Sequence, residues 1–272
     1  MSGRLRPRKA LGQHWLSDRK ALRRIAEAGE IGDDDTVIEI GAGTGLLTEE
    51  LAKRAEKLIA VEVDEELAKR LRHRFSDGSN VSILQADVLT TPIEEMLIRG
   101  NGGVPYVVVG NLPYFIGTAI VRRFLQAMIP PRRMVVTLQA EVAESVTALP
   151  GRMRALSVQV QMLASARILF YLPSKAFTPP PKIRSAVVRL DVHDAPEVEV
   201  DDRDSFLNLV HAGFAAPRKR LRNSLAIGLG VEPDESSRIL AGADLDPTQR
   251  PAQVTLAGWR DLYFAFRAAK GR

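Results

Sequence analysis

The sequence predicts an α/β protein with a doubly wound, mostly parallel sheet, followed by a small all-α domain. Three observations predict this. Apolar, β-rich runs alternate with helical patterns through the first two thirds of the 272 residues, which is typical of parallel strands covered on both faces. A glycine-rich turn follows the first apolar run. Beyond residue 200 the pattern is helical only.

The seven predicted strands follow one another at short intervals. The first, second, fourth and fifth strands are each followed by a helical pattern, whereas the segment after the third is looser. The last two strands lack an intervening helix, so we expect an antiparallel hairpin at one edge of the sheet. The strands are expected at 36–40, 58–63, 81–86, 106–109, 133–139, 166–172 and 185–192.

Charge and pattern divide the chain into three parts. Residues 1–24 form a basic N-terminal arm, 25–195 the sheet domain and 200–272 a helical domain. An acidic, proline-containing linker, "DVHDAPEVEVDDRD", leads into the helical domain. Four helices are predicted after it, in "FLNLVHAGFAA", "RKRLRNSLAIGL", "DESSRILAGA" and "TLAGWRDLYFAFRAA".

The composition indicates a soluble globular protein and fits a cytosolic location. Cysteine is absent, which excludes disulfides, thiolate metal sites and a cysteine nucleophile. No apolar run reaches the roughly 18 residues of a membrane span. Residues 1–24 carry eight Lys/Arg against one acid, and 115–190 carry eleven against two. Two such segments around a candidate active-site turn favour a polyanionic partner, most simply nucleic acid.

The stretch "VIEIGAGTGLLTEELA" places Gly41, Gly43 and Gly45 between the first strand and a helix. Ligands bind at such turns in open α/β sheets, because backbone amides and a helix N-terminus converge outside the strand ends. A dinucleotide fingerprint needs its third glycine at position 46, which is Leu46. The G-x-G-x-G spacing therefore predicts close approach of a bulky ligand without a pyrophosphate cradle.

Two acids follow the next two strands. Glu62, near the end of the second strand, can accept hydrogen bonds from a ribose diol, although an ordinary strand-end carboxylate is the alternative. Asp87, after the third strand, is placed to accept from the amino group of an adenine ring. Together with the glycine turn, these acceptors predict an adenosine-containing ligand.

The fourth strand ends in an unusual turn. The apolar run 106–109 stops at Gly110 and is followed by Asn111, Leu112, Pro113 and Tyr114. Asn and Pro are turn formers, so one interpretation is that the four residues only terminate the strand. Whether the turn has a function depends on the other motifs in the sequence.

Several motifs together resemble known methyltransferases. "EIGAGTG", "VEVDEEL" and "QADVL" resemble the S-adenosylmethionine motifs of class I methyltransferases. "KALGQHWL", "NLPY", "FTPPPKIRSAVVRL" and "PRKRLRNSL" resemble the ribosomal RNA adenine N6,N6-dimethyltransferases of the small-subunit type. The resemblance extends from Lys9 into the C-terminal domain.

The resemblance implies a Rossmann-like class I methyltransferase domain that uses S-adenosyl-L-methionine and no metal. It implies methyl transfer to the N6 of two adjacent adenosines in the 3′-terminal hairpin loop of small-subunit (16S) rRNA, within a pre-30S particle. A monomeric, cytoplasmic enzyme without membrane contact is expected. The implied cofactor-binding residues are His14, Leu16, Gly41, Gly43, Gly45, Glu62, Asp87 and Asn111.

The resemblance implies a chemical role for the "NLPY" turn. Acceptors aimed at the two N6 protons would localise the nitrogen lone pair for attack on the methyl group. Asn111 offers a side-chain oxygen, and Leu112, held extended by Pro113, offers a backbone carbonyl. Tyr114 offers a stacking face for the extruded base. Phe177, before a stiff proline run, is predicted as a second stacking surface, with a hydrophobic core plug as the alternative.

The RNA contacts are predicted in the second domain and the arm. Arg218, Lys219, Arg220 and Arg222 are expected on one helix, with Arg218 and Arg222 on the same side. With the N-terminal arm they would contact RNA phosphates, which position a substrate without specifying its sequence.

Three departures from the family pattern affect the substrate loops. Phe115 stands where the family usually has Asn after "NLPY", Trp15 is the aromatic of the "LGQ" motif, and Ser145 replaces an arginine. Two other functions remain open. A large-subunit adenine methyltransferase of the antibiotic-resistance type shares the fold and the turn, and a non-catalytic ribosome-assembly or transcription factor would keep only the RNA surface.

Overall fold

The computed structural model describes residues 13–75, 80–100 and 102–270, which fold into two compact units. The first contains the described residues up to Ala143 together with Ala166–Val192. The second contains Glu144–Ser165 and the described residues from His193 onward. The helical unit thus includes a segment between two strands of the sheet, while the boundary proposed between residues 195 and 200 stays a prediction.

The strands lie close to their predicted positions, except that two short strands are added. The strands of the described residues are β1 (Trp15–Leu16), β2 (Thr36–Ile40), β3 (Lys57–Glu62), β4 (Val81–Gln85), β5 (Tyr106–Asn111), β6 (Arg133–Gln139), β7 (Ala164–Leu172), β8 (Phe177–Thr178) and β9 (Ser185–Val192).

The helices include the four that the sequence predicts beyond residue 200, and α7, which its patterns do not predict. The α-helices of the described residues are α1 (Arg19–Ala28), α2 (Leu46–Ala52), α3 (Glu65–Arg74), α4 (Ile93–Arg99), α5 (Gly117–Leu125), α6 (Ala140–Val146), α7 (Ala155–Gln161), α8 (Arg203–Gly213), α9 (Leu221–Leu229), α10 (Pro233–Gly242) and α11 (Leu256–Lys270).

Within the described residues, the main sheet of the first unit has seven strands in the order β4-β3-β2-β5-β6-β9-β7. The pairs β2–β3, β3–β4, β2–β5 and β5–β6 are parallel, so the predicted mostly parallel sheet is confirmed. The chain winds outward from β2 to β4 and then returns to β5 on the other side of β2. Ligands bind at such a switch point, outside the carboxyl ends of the strands.

The far edge of the sheet is antiparallel. β9 pairs antiparallel with β6, from Arg133 opposite Asp191 to Gln139 opposite Ser185. β7 lies beside β9 at the edge, as expected for the last two strands. The connection between them also contains β8, which pairs with β1 in a separate two-stranded sheet.

The core explains why the first five long strands are so apolar. All of β2 and most of β3 and β5 are buried, because helices cover both faces of a parallel sheet. On one face, α1 packs its buried side chains Leu22 and Ile25 into a cluster with Val37, Leu58 and Val107. This rigid layer fixes the ends of β2, β3 and β5, from which the site is built.

Candidate active site

A cavity of about 290 Å³ lies at the carboxyl ends of β2, β3, β4 and β5, at the switch point of the sheet. The turns that follow these strands form its walls. Most of the predicted site residues of the first unit line it, together with apolar side chains. The lining residues are Gln13, His14, Trp15, Ile40, Gly41, Gly43, Val61, Glu62, Val63, Ala86, Asp87, Val88, Leu89, Asn111, Leu112, Pro113, Tyr114, Phe115, Ile116 and Ile120.

The glycine turn after β2 is held in place by its own amides. The N–H groups of Gly41 and Ala42 donate to the carbonyl oxygen of Val61, at 2.9 and 3.2 Å. Gly41 and Gly43 have φ values of 72° and 54°, in the left-handed region that favours glycine. These amides are therefore committed to β3, and the turn does not form a phosphate cradle, in agreement with its G-x-G-x-G spacing.

Glu62 links the glycine turn to the start of α3. Its Oε2 accepts from the Gly43 N–H at 2.8 Å and its Oε1 from the Asp64 N–H at 2.9 Å. Only 5% of the residue is exposed, and burial raises the pKa of its carboxyl. Each carboxylate oxygen can accept a second hydrogen bond, so Glu62 can hold the turn and still bind a ligand hydroxyl.

Gly45 has a structural role that differs from the predicted one. It caps α2 with φ of 79°, and a Cβ placed there would lie 2.8 Å from Leu71 Cδ2. It is packed against α3 rather than exposed on the cavity wall. Of the three glycines, Gly41 and Gly43 line the cavity, and the cofactor contact of Gly45 stays a prediction.

A second, smaller pocket lies behind the glycine turn, between Gly41, Gly43 and Glu39. Glu39 is buried, its Oε2 has no hydrogen-bond partner among the described residues, and burial raises its pKa to about 8. Sequence reasoning did not select Glu39, although an acid inside the apolar strand "TVIEI" is a usable signal. Leu16, predicted to cover the cofactor, lies at this smaller pocket and is 4% exposed.

Asp87 follows β4 and is exposed at the cavity. One of its carboxylate oxygens accepts from the Leu89 N–H at 2.8 Å. Arg123, on α5, donates to the carbonyl oxygens of Leu89 and Thr91 at 2.7 and 2.6 Å. Arg123 therefore fixes the loop that carries Asp87, a role that sequence reasoning did not assign.

Asn111 is the last residue of β5 and stands beside the glycine turn. Its Nδ2 donates to the backbone carbonyl of His14 at 2.8 Å, which fixes the orientation of the amide because only the nitrogen can donate. The Oδ1 is buried and has no partner among the described residues. A buried acceptor without a partner is costly, so this oxygen is a strong candidate for a ligand N–H.

Tyr114 is held by a hydroxyl pair on one side and a ring on the other. Its phenol oxygen lies 2.5 Å from Ser185 Oγ, at the start of β9. The His14 imidazole is stacked beside its ring, with 5.7 Å between centroids and 21° between planes. The Nδ1 of His14 lies 2.8 Å from the Pro179 carbonyl oxygen. Burial raises the pKa of Tyr114, so its phenol stays neutral. Sequence reasoning missed Ser185.

The residues between and after these two complete the turn. Leu112 is buried and Pro113 half-buried on the cavity wall. The Ile116 N–H donates to the Pro113 carbonyl at 3.2 Å, which closes a turn with Tyr114 and Phe115 at its centre. Phe115 is 64% exposed.

Phe177 does not lie on the wall of this cavity. It is 2% exposed, belongs to the core cluster of the first unit and stands opposite Leu16 in the β1–β8 pair. Pairing with β1 turns the ring into the core. This environment is that of the alternative, a core plug, and the stacking role stays a prediction.

The predicted basic helix of the second unit begins later than expected. α9 starts at Leu221 with Arg220 as an extended N-cap, so Arg218, Lys219 and Arg220 lie before the helix. The reason is Ser224, whose hydroxyl accepts from the Ala216 N–H at 2.9 Å and donates to the Gly213 carbonyl at 2.6 Å. This holds the preceding segment as a turn. The prediction that Arg218 and Arg222 lie on the same side of one helix is therefore wrong.

The three side chains before the helix are exposed, whereas Arg222 is half-buried. Arg218 and Lys219 have no ion-pair partner within the described residues. A groove close by in the same unit is lined by Arg152, Arg154, Phe214 and Pro217. Exposed, unpaired cations beside a groove remain compatible with phosphate contacts.

Part of the basic segment 115–190 is committed to the fold. Arg132 donates to Asp35 at 2.7 Å, and Arg133 and Arg189 donate to Asp191 at 2.6 and 2.9 Å. Hydrogen bonds from the arginines hold the pKa of Asp191 below its usual range against the opposing effect of burial. The positive charge of this segment therefore overstates the cationic surface available to RNA. The first 12 residues of the basic N-terminal arm lie outside the described residues.

Two further findings concern metals and membranes. In the part of the chain that the structure describes, His, Asp and Glu side chains form no group of three or more arranged to hold a metal ion. None of the helices described here combines the length and apolar character that a bilayer-spanning segment needs.

A mostly parallel sheet with an antiparallel β9 and an acceptor-rich cavity at its switch point defines a Rossmann-like methyltransferase. Solved structures agree. A 23S rRNA methyltransferase, ErmE, is 31% identical with a TM-score of 0.73, over 93% of this chain and 99% of that one. A dimethyladenosine transferase from Plasmodium falciparum has a TM-score of 0.80 at 21% identity, over 94% and 98% of the two chains, which supports the fold.

Sequence comparison identifies the family. The profile of the family described as "Ribosomal RNA adenine dimethylase" matches residues 4–250. The ribosomal RNA small subunit methyltransferase A of Dehalococcoides mccartyi is 39% identical over 95% of this chain and 88% of its own length. That of Caldanaerobacter subterraneus is 36% identical over 95% and 96%. The chain belongs to the ribosomal RNA adenine dimethylase family, whose members are S-adenosylmethionine-dependent enzymes.

Proposed function

We propose that this enzyme transfers methyl groups from S-adenosyl-L-methionine to the N6 of two adjacent adenosines in the 3′-terminal hairpin loop of small-subunit rRNA. The observation that carries the proposal is the buried Asn111 Oδ1 without a partner, beside the glycine turn in the cavity. The small-subunit relatives at 36–39% identity support the choice of RNA. A pre-30S particle as substrate, a monomeric state and a cytoplasmic location complete the proposal.

The residues at the cavity fit an adenosine-containing sulfonium cofactor. Glu62 keeps acceptor capacity for a ribose diol, Asp87 is exposed where it can accept from an adenine amino group, and Val63 and Val88 offer apolar walls. Glu39 has a buried oxygen without a partner in the adjoining pocket, which suits an ammonium group. When bound, this cofactor supplies an electrophilic methyl group on a positively charged sulfur.

Asn111 and Leu112 act on the target nitrogen. The lone pair of N6 is delocalised into the adenine ring, which makes the nitrogen a poor nucleophile. The Asn111 Oδ1 accepts one N6–H, and the backbone carbonyl of Leu112, held extended by Pro113, accepts the other. These acceptors favour the geometry in which the lone pair is localised, so they stabilise the transition state more than the ground state. The displaced proton leaves to solvent.

Tyr114 and His14 hold the base and cover the site. The phenol–Ser185 contact fixes the Tyr114 ring, so its face is available for the extruded base without loss of side-chain entropy on binding. His14 closes the site from the N-terminal side through its contacts with Tyr114 and Pro179. Positioning of two reactants is the main contribution of these groups.

The exposed cations before α9 are proposed to contact RNA phosphates. If they do, RNA affinity falls steeply with salt, and replacement of Arg218, Lys219 and Arg220 by Ala flattens the slope. Replacement of three exposed cations of the first unit, Lys57, Lys69 and Arg72, by Ala serves as the control for loss of charge alone. An unchanged slope in the first variant would locate the RNA surface elsewhere.

The proposed function is tested by parallel methylation of undermethylated small subunits, mature large subunits and naked rRNA with labelled cofactor. Mass spectrometry of the digested RNA should find N6,N6-dimethyladenosine at two adjacent positions of the small-subunit rRNA. Product confined to large-subunit rRNA would replace the proposed substrate. Absence of product from all three RNAs, with cofactor binding intact, would instead support a non-catalytic assembly factor.

A large-subunit substrate is the second candidate, because ErmE is 31% identical over 93% of this chain. The small-subunit relatives are more similar, at up to 39% identity over 95%. The large-subunit arm of the same experiment decides between the two.

A further inference from the structure

Phe115 is an exposed aromatic residue at the mouth of the active-site cavity. At 64% exposure it is the most exposed aromatic side chain among the described residues. It lines the same cavity as Asn111 and Tyr114. Aromatic side chains are enriched at interaction surfaces, so an exposed ring beside the cavity is placed to contact a partner that binds there.

The turn after β5 directs its two aromatic residues differently. Tyr114 and Phe115 occupy the centre of the turn that the Ile116 N–H closes onto the Pro113 carbonyl at 3.2 Å. Tyr114 is half-buried and anchored by Ser185, whereas Phe115 faces outward. A base inside the cavity can use the face of Tyr114 but not the solvent-facing side of Phe115, which is available only to a group outside the cavity.

We propose that Phe115 stacks on the nucleobase next to the target adenosine and thereby positions the RNA for transfer. The inference rests on the proposed function, in which the two target adenosines are adjacent. When one of them is extruded into the cavity, its neighbour loses a stacking partner and is held by the backbone at the mouth. An exposed aromatic ring at that place replaces the lost stack, and it tolerates any base because every base has a π-face.

The position of Phe177 strengthens this assignment. The ring that the sequence suggested as a second stacking surface is buried in the core. Phe115 is the aromatic residue next to Tyr114 whose ring is exposed at this cavity, whereas Trp15 and His14, which also line it, are half-buried.

The alternative is that the Phe115 ring contacts the cofactor, because Val63 and Leu89 line the same cavity. The experiment therefore measures cofactor and RNA binding separately. Phe115→Leu keeps an apolar side chain of similar volume without a π-face, and Phe115→Trp keeps and enlarges the π-face. Phe264→Leu, at an exposed ring in the second unit, is the matched control.

Binding of undermethylated small subunits is measured by filter retention, cofactor binding by calorimetry, and methyl transfer by single-turnover assay at saturating subunit. We expect Phe115→Leu to weaken subunit binding by roughly 5- to 20-fold, the lower part of the range for one stacked base. Phe115→Trp and Phe264→Leu should bind as wild type does. Cofactor affinity should be unchanged in Phe115→Leu, and Phe264→Leu should match wild type in all three measurements.

Two results would overturn the inference. The first is subunit binding by Phe115→Leu equal to that of wild type. The second is a loss confined to cofactor affinity, which would assign the ring to the cofactor. Failure of the proposed function is distinct, because the wild-type enzyme would then methylate no small subunits in the same assay.

Discussion

Two turns at the same edge of the sheet differ in how completely their polar groups are used. Strands β2 and β5 are parallel neighbours, with Ile40 opposite Gly110, so the turns that follow them lie side by side. In the glycine turn, the amides of Gly41 and Gly43 are bonded to β3, the second through Glu62. In the turn after β5, the Asn111 Oδ1 is buried without a partner.

This difference separates binding from chemistry. A turn fixed by its own hydrogen bonds presents a constant surface, which suits a cofactor that is exchanged at every turnover. A turn that keeps a buried acceptor open carries a desolvation cost, and a ligand N–H relieves it. We infer that the N–H group that relieves this cost at Asn111 belongs to the target base.

The largest effect is expected for Asn111→Ala. Removing an acceptor that acts mainly in the transition state should lower the single-turnover rate by roughly 10²- to 10³-fold, as for one oxyanion-hole group. Cofactor affinity should change little, since Glu62 and Asp87 remain. Rapid-quench transfer at saturating cofactor and RNA, with calorimetry in parallel, measures both. A variant that loses cofactor binding but transfers at the normal rate would reverse the roles of the two turns.

Glu39, at the smaller pocket beside the glycine turn, is tested through the pH dependence of protein stability. Its folded-state pKa of about 8 lies above the ordinary value of 4.5. The contribution of Glu39 to the free energy of unfolding is therefore fully present below pH 4.5 and is lost as the pH rises toward 8. Between pH 5.5 and 8, wild type should lose on the order of 3 kcal/mol more than Glu39→Gln. Urea unfolding without cofactor measures this. Parallel pH profiles for the two proteins would contradict the assignment of a buried carboxyl with a raised pKa to Glu39.

Glu62→Gln should weaken cofactor binding. The amide can accept with one oxygen only, so one of the N–H groups of Gly43 and Asp64 loses its partner and the turn loosens. A loss of about 1–3 kcal/mol in cofactor binding is expected. Glu50→Gln is the control, because Glu50 is equally buried but pairs with Lys53 outside the cavity. Equal effects of the two substitutions on calorimetric affinity would show that Glu62 has no special role.

Smaller effects are expected at the Tyr114–Ser185 contact. Tyr114→Phe keeps the ring but removes the anchor, and Ser185→Ala removes the anchor from the other side. Each should reduce RNA affinity by about 0.5–1.5 kcal/mol, the net value of one hydrogen bond, and the double variant should be no worse than either single one. Tyr114→Ala should lose more, because it also removes the stacking face. Additive losses in filter binding would show that the two hydroxyls act independently.

The sequence predicts the sheet and both turns well, because these depend on local signals. Alternating apolar runs mark the strands, and the glycines mark the left-handed turn that the structure contains. Glu62 and Asp87 both line the cavity, because parallel strands bring their carboxyl ends to one edge of the sheet. The acid in "TVIEI" gives a comparable signal for Glu39, once an unpaired carboxyl in a buried strand is taken as a site residue.

The differences from prediction arise where contacts with other segments set a local conformation. Phe177 turns into the core because β8 pairs with β1, some 160 residues earlier. Arg218 lies outside α9 because the Ser224 hydroxyl bonds to the segment before the helix. The arginines of β6 and β9 are read as RNA-binding charge until their acidic partners are known. The strand partner of Phe177 and the Asp191 partner of Arg133 are remote in sequence, whereas Ser224 lies eight residues from Ala216 and contacts it only because of the local fold.

The central claim is that the open oxygen of Asn111 accepts a hydrogen bond from the N6 amino group. The direct measurement is a binding cycle with small-subunit RNA that carries either adenosine or purine, which lacks the N6 amino group, at the target position. The loss on changing adenosine to purine should be greater for wild type than for Asn111→Ala, by roughly 0.5–1.5 kcal/mol. Equal losses for the two proteins would mean that the amide and the amino group do not interact, and would contradict the account.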